Sequence, residues 1–281
     1  MWVFLFALGA AMLFSVSTLI QHRAAGRIPT AAGGPIRLFL RLLRSPNWLG
    51  GQVFGVGALG LQLLALSRGS LVVVQAVLAC GIVMTLGLEA VLHDRPLRTS
   101  GKAGMLCLVA GIGMLVGIGR PGGGSDRATL VAWSAATAVT IAVVSACSLF
   151  SRNTTRENAG SHGAALAFGA GVCFALDTAF LKSASRSLGD KNLIGIVLLS
   201  AIGYLSAAVA GNVLGQRAYQ IAPLVATMPT LTAIQPIAGV AFGTLLYGEQ
   251  LRGGPAHQLA GVVGAFLLTL GSIATARAAA G

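Results

Sequence analysis

The sequence predicts an all-α, polytopic membrane protein with about nine transmembrane helices. Charged residues make up 9% of the chain and hydrophobic residues 55%, whereas soluble domains contain about 25% charged residues. Nine stretches contain no Asp, Glu, Lys or Arg, and each reaches or approaches the roughly 17–25 residues with which a helix crosses a bilayer. The stretches are apolar on all sides, whereas the strands of a membrane β-barrel alternate apolar and polar residues, so helices are favoured.

The nine stretches define the predicted helices in chain order, and most charges lie in the short gaps between them. They are 1–22, 45–67, 69–88, 103–119, 128–151, 158–176, 192–216, 218–248 and 253–276. The first has neither a basic n-region nor a small-residue cleavage site, so we expect a retained helix and not a signal peptide. Together they fill the chain, and we expect no soluble domain.

The loop between the first two predicted helices sets the predicted orientation. It contains no acid and five arginines, which are Arg23, Arg27, Arg37, Arg41 and Arg44. Lys and Arg are enriched in the loops on the cytoplasmic side of a membrane. We therefore expect a multi-pass protein of the cytoplasmic (inner) membrane, with its N-terminus outside and its C-terminus inside. Within this loop, the basic segment 36–46 places arginines on one helical face and leucines on the other. That pattern is typical of an interfacial anchor or, alternatively, of a site for anionic lipid.

Two blocks of the chain resemble each other in opposite orientations. Ala65–Val72 aligns with Ala218–Val225, and Gly104–Arg120 aligns with Gly261–Arg277. The four helices of the first block return the chain to the side of the membrane on which it started. The fifth helix then crosses once more, so the second block begins on the opposite side. We predict a first repeat at 1–128, a central linking helix and loop at 129–157, and a second, inverted repeat at 158–281. Inverted four-helix repeats are an architecture of secondary transporters.

Several phrases carry a resemblance to a known family. They are Leu19-Ile-Gln-His-Arg-Ala-Ala25, Ser45-Pro-Asn-Trp-Leu-Gly50, Gly60-Leu-Gln-Leu-Leu-Ala-Leu66, Gln216-Arg-Ala-Tyr-Gln-Ile-Ala-Pro-Leu-Val-Ala-Thr-Met-Pro229, and Gln235-Pro236 followed by Tyr247-Gly-Glu-Gln-Leu-Arg252. With these, the whole chain resembles the drug/metabolite transporter superfamily, and more closely the bacterial branch related to NIPA-like magnesium transporters. The resemblance implies transport of a small solute or cation by alternating access, with Mg²⁺ as a candidate. It supplies no site residues that can be carried over.

One predicted helix is unusually rich in proline and polar residues. A proline inside a helix frees the carbonyl four residues earlier, and such groups are tolerated at membrane depth where they line a cavity. We therefore expect a broken helix that binds substrate or acts as a hinge, with Pro229, Thr232, Gln235 and Pro236 in the pathway. The alternative is a kinked packing helix.

Four further polar residues are candidates for the ion or substrate pathway. Asp177 directly follows the charge-free stretch 158–176, and we expect the sixth helix to continue past it at membrane depth, where a carboxylate requires a partner or a task; the alternative is a structural group bonded to neighbouring hydroxyls. Glu89 and His93 share a helix face near the cytoplasmic end of the third helix, where the alternative is a solvated helix end. Gln75 is a mid-helix amide that can bind substrate or join helices. Asp177 and Glu89 are the candidate metal ligands, although the metal itself is unknown.

These observations predict a membrane transporter and not an enzyme, since no nucleophile, acid/base pair or metal cluster is evident. We expect no cofactor. The basic residues are dispersed without an aromatic platform, so we also expect no nucleic-acid partner. The expected partners are a small-molecule or cation substrate and the lipid bilayer. A second copy of the chain, forming a homodimer, is a further candidate partner. Efflux or exchange of a small organic or lipid-linked metabolite is the alternative within transport. A non-transporting scaffold or regulatory subunit is the alternative from another class.

Overall fold

The structure is a computed structural model that describes most of the chain. The described residues are 2–26, 44–81, 83–84, 88, 99–118, 121–122, 124–125, 128–155, 157–187, 194–222, 224–251 and 254–280. The predictions for Glu89, His93 and most of the basic segment 36–46 lie outside these residues.

The described residues form nine α-helices, a π-helical turn and one short ribbon. The helices are α1 (Trp2–Gly26), α2 (Pro46–Leu66), α3 (Leu71–Leu78), α4 (Thr99–Ile112), α5 (Leu130–Phe150), α6 (Ala159–Ser187), α7 (Ile194–Ile221), α8 (Leu224–Tyr247) and α9 (Pro255–Ala280). The π-helix Gly113–Ile118 continues α4, and β1 (Pro121–Gly122) pairs antiparallel with β2 (Gln250–Leu251). The all-α prediction is confirmed.

Four of these helices are long and apolar enough to cross a membrane: α2, α5, α6 and the first 22 residues of α7. Shorter apolar helices accompany them in the described ranges. Large hydrophobic side chains point outward, and Leu130 and Val131 of α5 are each 79% exposed. In water such a surface is an aggregation liability, whereas lipid solvates it. The fold is that of a multi-pass membrane protein, and the count of nine crossings stays a prediction.

Hydroxyl side chains fix the first turns of three helices. Ser45 accepts a hydrogen bond from Trp48 N (3.4 Å), and Pro46 occupies the first turn of α2, where its missing N–H costs nothing. Ser70 accepts from Val73 N (3.1 Å) at the start of α3. Thr129 caps α5 in the same way. These N-caps satisfy backbone donors that helix ends otherwise leave unpaired.

The helices pack as pairs around α6, which is the most buried of the four long helices. α1 packs along α2, α6 packs along both α7 and α8, and α4 packs along α9. The largest cluster of buried apolar residues joins α1, α2, α3, α5, α6, α7 and α8, with Leu66, Leu71, Leu176 and Phe242 among its members. This core supports the site described below.

α4 and α9 approach each other backbone to backbone. A Cβ on Gly111 would overlap Leu268 N, and a Cβ on Gly264 would lie 2.5 Å from Leu115 N. The contact is reciprocal, because Gly111 meets Leu268 while Gly264 meets Leu115. Glycine is the only residue without a Cβ, so it alone permits this separation.

Candidate functional site

The chain reverses direction directly after α8 and brings Glu249 back toward the helix. Gly248 has φ +62°, a conformation that favours glycine. Gly248 N donates to Thr244 O at 2.9 Å, the bond of an αL helix end, and Glu249 N donates to Gly243 O at 3.1 Å. Gly124 lies beside this turn with φ +78°, and a Cβ on it would overlap Tyr247 O. Two glycines therefore fix the turn that positions the Glu249 carboxylate.

The Glu249 carboxylate bridges two parts of the molecule. Its Oε1 accepts from Leu71 N at 2.7 Å and its Oε2 from Val72 N at 2.9 Å, so it caps the N-terminus of α3. Lys182 of α6 donates to the same carboxylate and forms an ion pair with it. Both side chains are buried, with relative exposures of 2% for Glu249 and 3% for Lys182. The positive end of the α3 dipole adds to the attraction.

Tyr247 forms one wall around the lysine. Lys182 Nζ lies 4.0 Å from the centroid of the Tyr247 ring, within the range of a cation–π contact. The Tyr247 hydroxyl donates to Ala179 O of α6 at 2.7 Å. Trp133 of α5 meets the same ring edge-on, at 6.4 Å between centroids. We call Glu249, Lys182, Tyr247 and the two α3 amides the Glu249 cluster.

Neighbouring contacts extend this junction. Arg186, one turn beyond Lys182 on α6, donates to Gly69 O just before α3 at 3.3 Å. Ser125 N donates to Tyr247 O at 2.7 Å, next to the β1–β2 ribbon. The segments before α3 and after α4 are thereby joined to α6 and α8 at one end of the bundle.

Asp177 lies five residues before Lys182 on α6 and is also buried, with 8% of its surface exposed. Its Oδ1 accepts from the Thr178 hydroxyl at 3.0 Å, while that hydroxyl also lies 3.0 Å from Phe174 O. Among the described residues, no cation forms an ion pair with it; Lys182 pairs with Glu249 instead. The structure thus supplies the hydroxyl partner expected for a structural role, and the role in coupling or cation binding stays a prediction.

Gln75 lies in α3 against α8. A Cβ on Gly239 would lie 2.8 Å from Gln75 Cγ, so the amide side chain occupies the space that this glycine leaves. Gln75 is 2% exposed. Its Nε2 has no hydrogen-bond partner in the described part of the protein. Gln75 therefore packs between α3 and α8 without using its amide donor on a described residue, and its role in the pathway stays a prediction.

The proline-rich helix is continuous, which corrects the expected break. α8 runs from Leu224 to Tyr247 through Pro229 and Pro236 without interruption. Each proline removes one ladder bond, and the packing of α8 along α6 and α9 holds the remaining helix together. Pro236 is buried and Gln235 is half-buried. The side chains of Pro229 and Thr232 lie outside the described residues.

The predicted stretches end at residues 176 and 248, so neither Lys182 nor Glu249 was a candidate for the site. In the structure α6 continues to Ser187 and buries Lys182, and the turn after α8 buries Glu249. A usable signal was present: the chain has only 7 acids, and this one follows a tyrosine and a glycine at the end of an apolar helix. Charge position alone could not show that the turn points inward.

No group of three or more His, Cys, Asp or Glu side chains suited to a metal ion occurs within the described ranges. The buried carboxylates of Asp177 in α6 and of Glu249 after α8 have different partners, a hydroxyl and an ammonium group. Neither arrangement by itself provides the several oxygen ligands and waters that Mg²⁺ prefers.

Comparison with known proteins finds a relative of unknown activity. The chain is 26% identical to an uncharacterized protein of Corynebacterium glutamicum over 249 residues, which cover 88% of this chain and 85% of the relative. No protein-family model matches the chain. No solved structure matches it either.

Proposed function

We propose that this protein is a transporter of the drug/metabolite superfamily in the cytoplasmic membrane, moving a small solute or cation by alternating access. Mg²⁺ is one candidate substrate. The observation that carries the proposal is the Glu249 cluster, a buried ionic junction between the first predicted repeat, through α3, and the second, through α6 and α8. In the proposed cycle it closes one end of the pathway.

The chemistry of this junction favours a contact that opens and closes. A buried ion pair costs desolvation energy, and apolar packing usually holds helices together as well or better. Charged residues in membrane segments commonly mark pathways and switches. Each member of the Glu249 cluster can exchange its partner for water when that end opens, since carboxylate, ammonium and helix N-terminus are all well hydrated. An apolar contact has no comparable alternative partner.

Helix packing supports the inverted repeat. α1 packs along α2 and contacts α3, and the corresponding helix α6 packs along α7 and α8. α4 and α9, the last helices of the two blocks, meet each other through the reciprocal glycine contact. Two related halves of opposite orientation can exchange inward and outward shapes around a shared site.

Two buried polar groups near the junction are the proposed pathway residues. Asp177 is about one and a half turns from Lys182 along α6, and its carboxylate can carry a proton or contact a cation. Gln75 faces α8 with an unused amide donor, which can donate to an oxygen of a bound solute. We assign coupling or cation contact to Asp177 and substrate contact to Gln75.

Flux into proteoliposomes tests the proposal. Purified protein is assayed with divalent cations including Mg²⁺ and with a panel of small metabolites. We expect saturable flux of at least one solute, and at least about tenfold slower flux in Glu249→Gln, because the lost ion pair removes more than the roughly 1.4 kcal/mol that a tenfold change requires. Glu157→Gln, which removes an exposed acid, is the matched control and retains wild-type flux. Absence of flux across the panel contradicts the proposal and favours the scaffold.

Topology has its own test in a cysteine-free background, since the chain has four native cysteines with free thiols. Single cysteines at Ser125 and Asn153, both exposed, precede and follow α5. A membrane-impermeant thiol reagent applied to intact cells is expected to label position 125 and not position 153. Labelling of both positions from one side contradicts the crossing by α5 and with it the inverted repeat.

A further inference from the structure

A second polar site lies at the other end of the bundle from the Glu249 cluster. It is a cavity of about 520 Å³ where α5 ends, α6 begins and α7 ends. Its polar lining consists of Arg152, Arg217, Ser148, Ser151, Asn153 and Thr154. Leu166 of α6 also lines it and precedes Lys182 by 16 residues, which at 1.5 Å per residue is about 24 Å along the helix. The cavity is thus separate from the proposed transport site.

The charge in this cavity is positive and uncompensated within the described residues. Arg152 and Arg217 are both exposed, and neither guanidinium forms an ion pair or hydrogen bond with a described residue. The lining contains no acid. The C-terminal ends of α5 and α7 each contribute about half a negative charge, which is less than the two full positive charges. An anion is therefore the ligand that this site attracts.

The loop that forms the cavity is held in place by hydrogen bonds of its own. The Ser151 hydroxyl donates to His162 O at 3.0 Å, and the Thr154 hydroxyl lies 3.0 Å from both Ser151 O and His162 Nδ1. Thr155 N donates to the Asn158 side chain at 2.6 Å. These bonds fix the cavity before any ligand arrives, so little ordering cost remains for binding.

The remaining donors match a phosphate group. Two guanidinium groups provide planar forks suited to phosphate oxygens. The Ser148 hydroxyl and the Asn153 amide add donors that no described residue uses. The volume lies within the roughly 300–1,000 Å³ of ordinary ligand pockets and exceeds the need of a bare phosphate, so a glycerol-sized substituent also fits.

We propose that this cavity binds a phosphate group carried either by an anionic phospholipid or by a small phosphorylated solute. The cavity opens where helices end, at the level at which lipid headgroups meet a membrane protein, and its walls include the apolar Leu166 and Ile221. The site does not depend on the transport activity proposed above. Loss of phosphate binding and loss of solute flux are measured in separate experiments, so one can fail without the other.

Ligand binding to the full chain in a neutral detergent tests the site. The probes are phosphatidylglycerol, phosphatidylcholine, inorganic phosphate and glycerol 3-phosphate, and the readouts are bound ligand by native mass spectrometry and the shift in thermal unfolding midpoint. Arg152→Gln and Arg217→Gln are each expected to weaken binding about tenfold, because each removes a charge-assisted hydrogen bond. Lys102→Gln, which removes an exposed charge outside the cavity, is the control and retains wild-type binding.

The outcomes separate the two sources of phosphate. Arginine-dependent binding of phosphatidylglycerol alone assigns the site to lipid, and arginine-dependent binding of the soluble phosphates assigns it to a solute. Equal binding of every phosphate probe by wild-type protein and by the folded Arg152→Gln/Arg217→Gln variant overturns the proposal. Wild-type protein that binds no phosphate probe also overturns it, without reference to any variant.

Discussion

Glu249 and Asp177 are both buried carboxylates, and their surroundings differ sharply. Glu249 accepts from an ammonium group and from two backbone amides at the N-terminus of α3. Asp177 accepts from a single hydroxyl on the neighbouring residue of its own helix. The first carboxylate joins three segments, whereas the second joins none. Their burial is similar, so burial alone does not distinguish their roles.

The difference indicates which charge stabilises the observed conformation and which is available for exchange. The Glu249 charge is balanced and fixed by geometry, so its removal changes the structure that depends on it. The Asp177 charge is only partly compensated, so a proton or a cation can complete its environment. We therefore expect alteration of Glu249 to lower both stability and flux, and alteration of Asp177 to lower flux with little change in stability.

The largest expected effect follows removal of one partner of the ion pair. Lys182→Ala and Glu249→Ala each leave an uncompensated buried charge, a change that costs about 3–5 kcal/mol. Thermal unfolding in detergent should show large decreases for both single variants. Lys182→Met/Glu249→Met should decrease less than the sum of the single effects, since no unpaired charge remains. Additive losses in this double-mutant cycle contradict the coupling.

A smaller effect is expected at the turn that positions Glu249. Gly248→Ala places a Cβ on a residue with φ +62°, which costs about 1–2 kcal/mol. The space around Gly248 is open apart from Gly124 Cα at 3.8 Å, so strain and not collision is the cause. Thermal unfolding should report the loss, and Gly50→Ala, where no atom lies within 4 Å of the added Cβ, should not. Equal midpoints for the two variants argue against a strained turn.

Tyr247→Phe tests the contribution of the Tyr247 hydroxyl to the same cluster. The hydrogen bond to Ala179 O is lost, while the ring beneath Lys182 remains, so we expect a destabilisation of about 1 kcal/mol. A loss as large as that of Lys182→Ala indicates instead that the hydroxyl positions the ion pair. The same detergent unfolding measurement distinguishes these results.

Asp177→Asn is expected to change stability least and transport strongly. Asparagine keeps the size and an oxygen acceptor for Thr178. The free energy of unfolding should therefore remain within about 0.5–1.5 kcal/mol of wild type, the range of one neutral hydrogen bond. If the charge participates in coupling, flux falls and its dependence on pH flattens. The outcome against this role is an Asp177→Asn variant whose flux equals that of wild type from about pH 5.5 to about pH 8, roughly the range in which perturbed carboxylates and histidine titrate. Asp177 is then structural, and the case for a cation substrate weakens.

The helical architecture was largely predictable, because lipid demands long apolar segments whose charges lie at the ends. α2 and α5 begin and end within two residues of the predicted stretches. The inward turn at Gly248 was not predictable, since it depends on a backbone conformation and on helices distant in the chain. The continuity of α8 through Pro229 and Pro236 was missed for a similar reason, because neighbouring helices decide whether a proline interrupts a membrane helix.

The reciprocal contact between α4 and α9 has a consequence for motion. In this contact Gly111 meets Leu268 while Gly264 meets Leu115, so exchanging the two helices about a local two-fold axis leaves the contacts unchanged. In the proposed exchange of inward and outward shapes, we expect this helix pair to keep its contacts while the other helices move relative to it. Distance measurements between spin labels on α4 and α9 are expected to give one narrow distribution under every substrate condition.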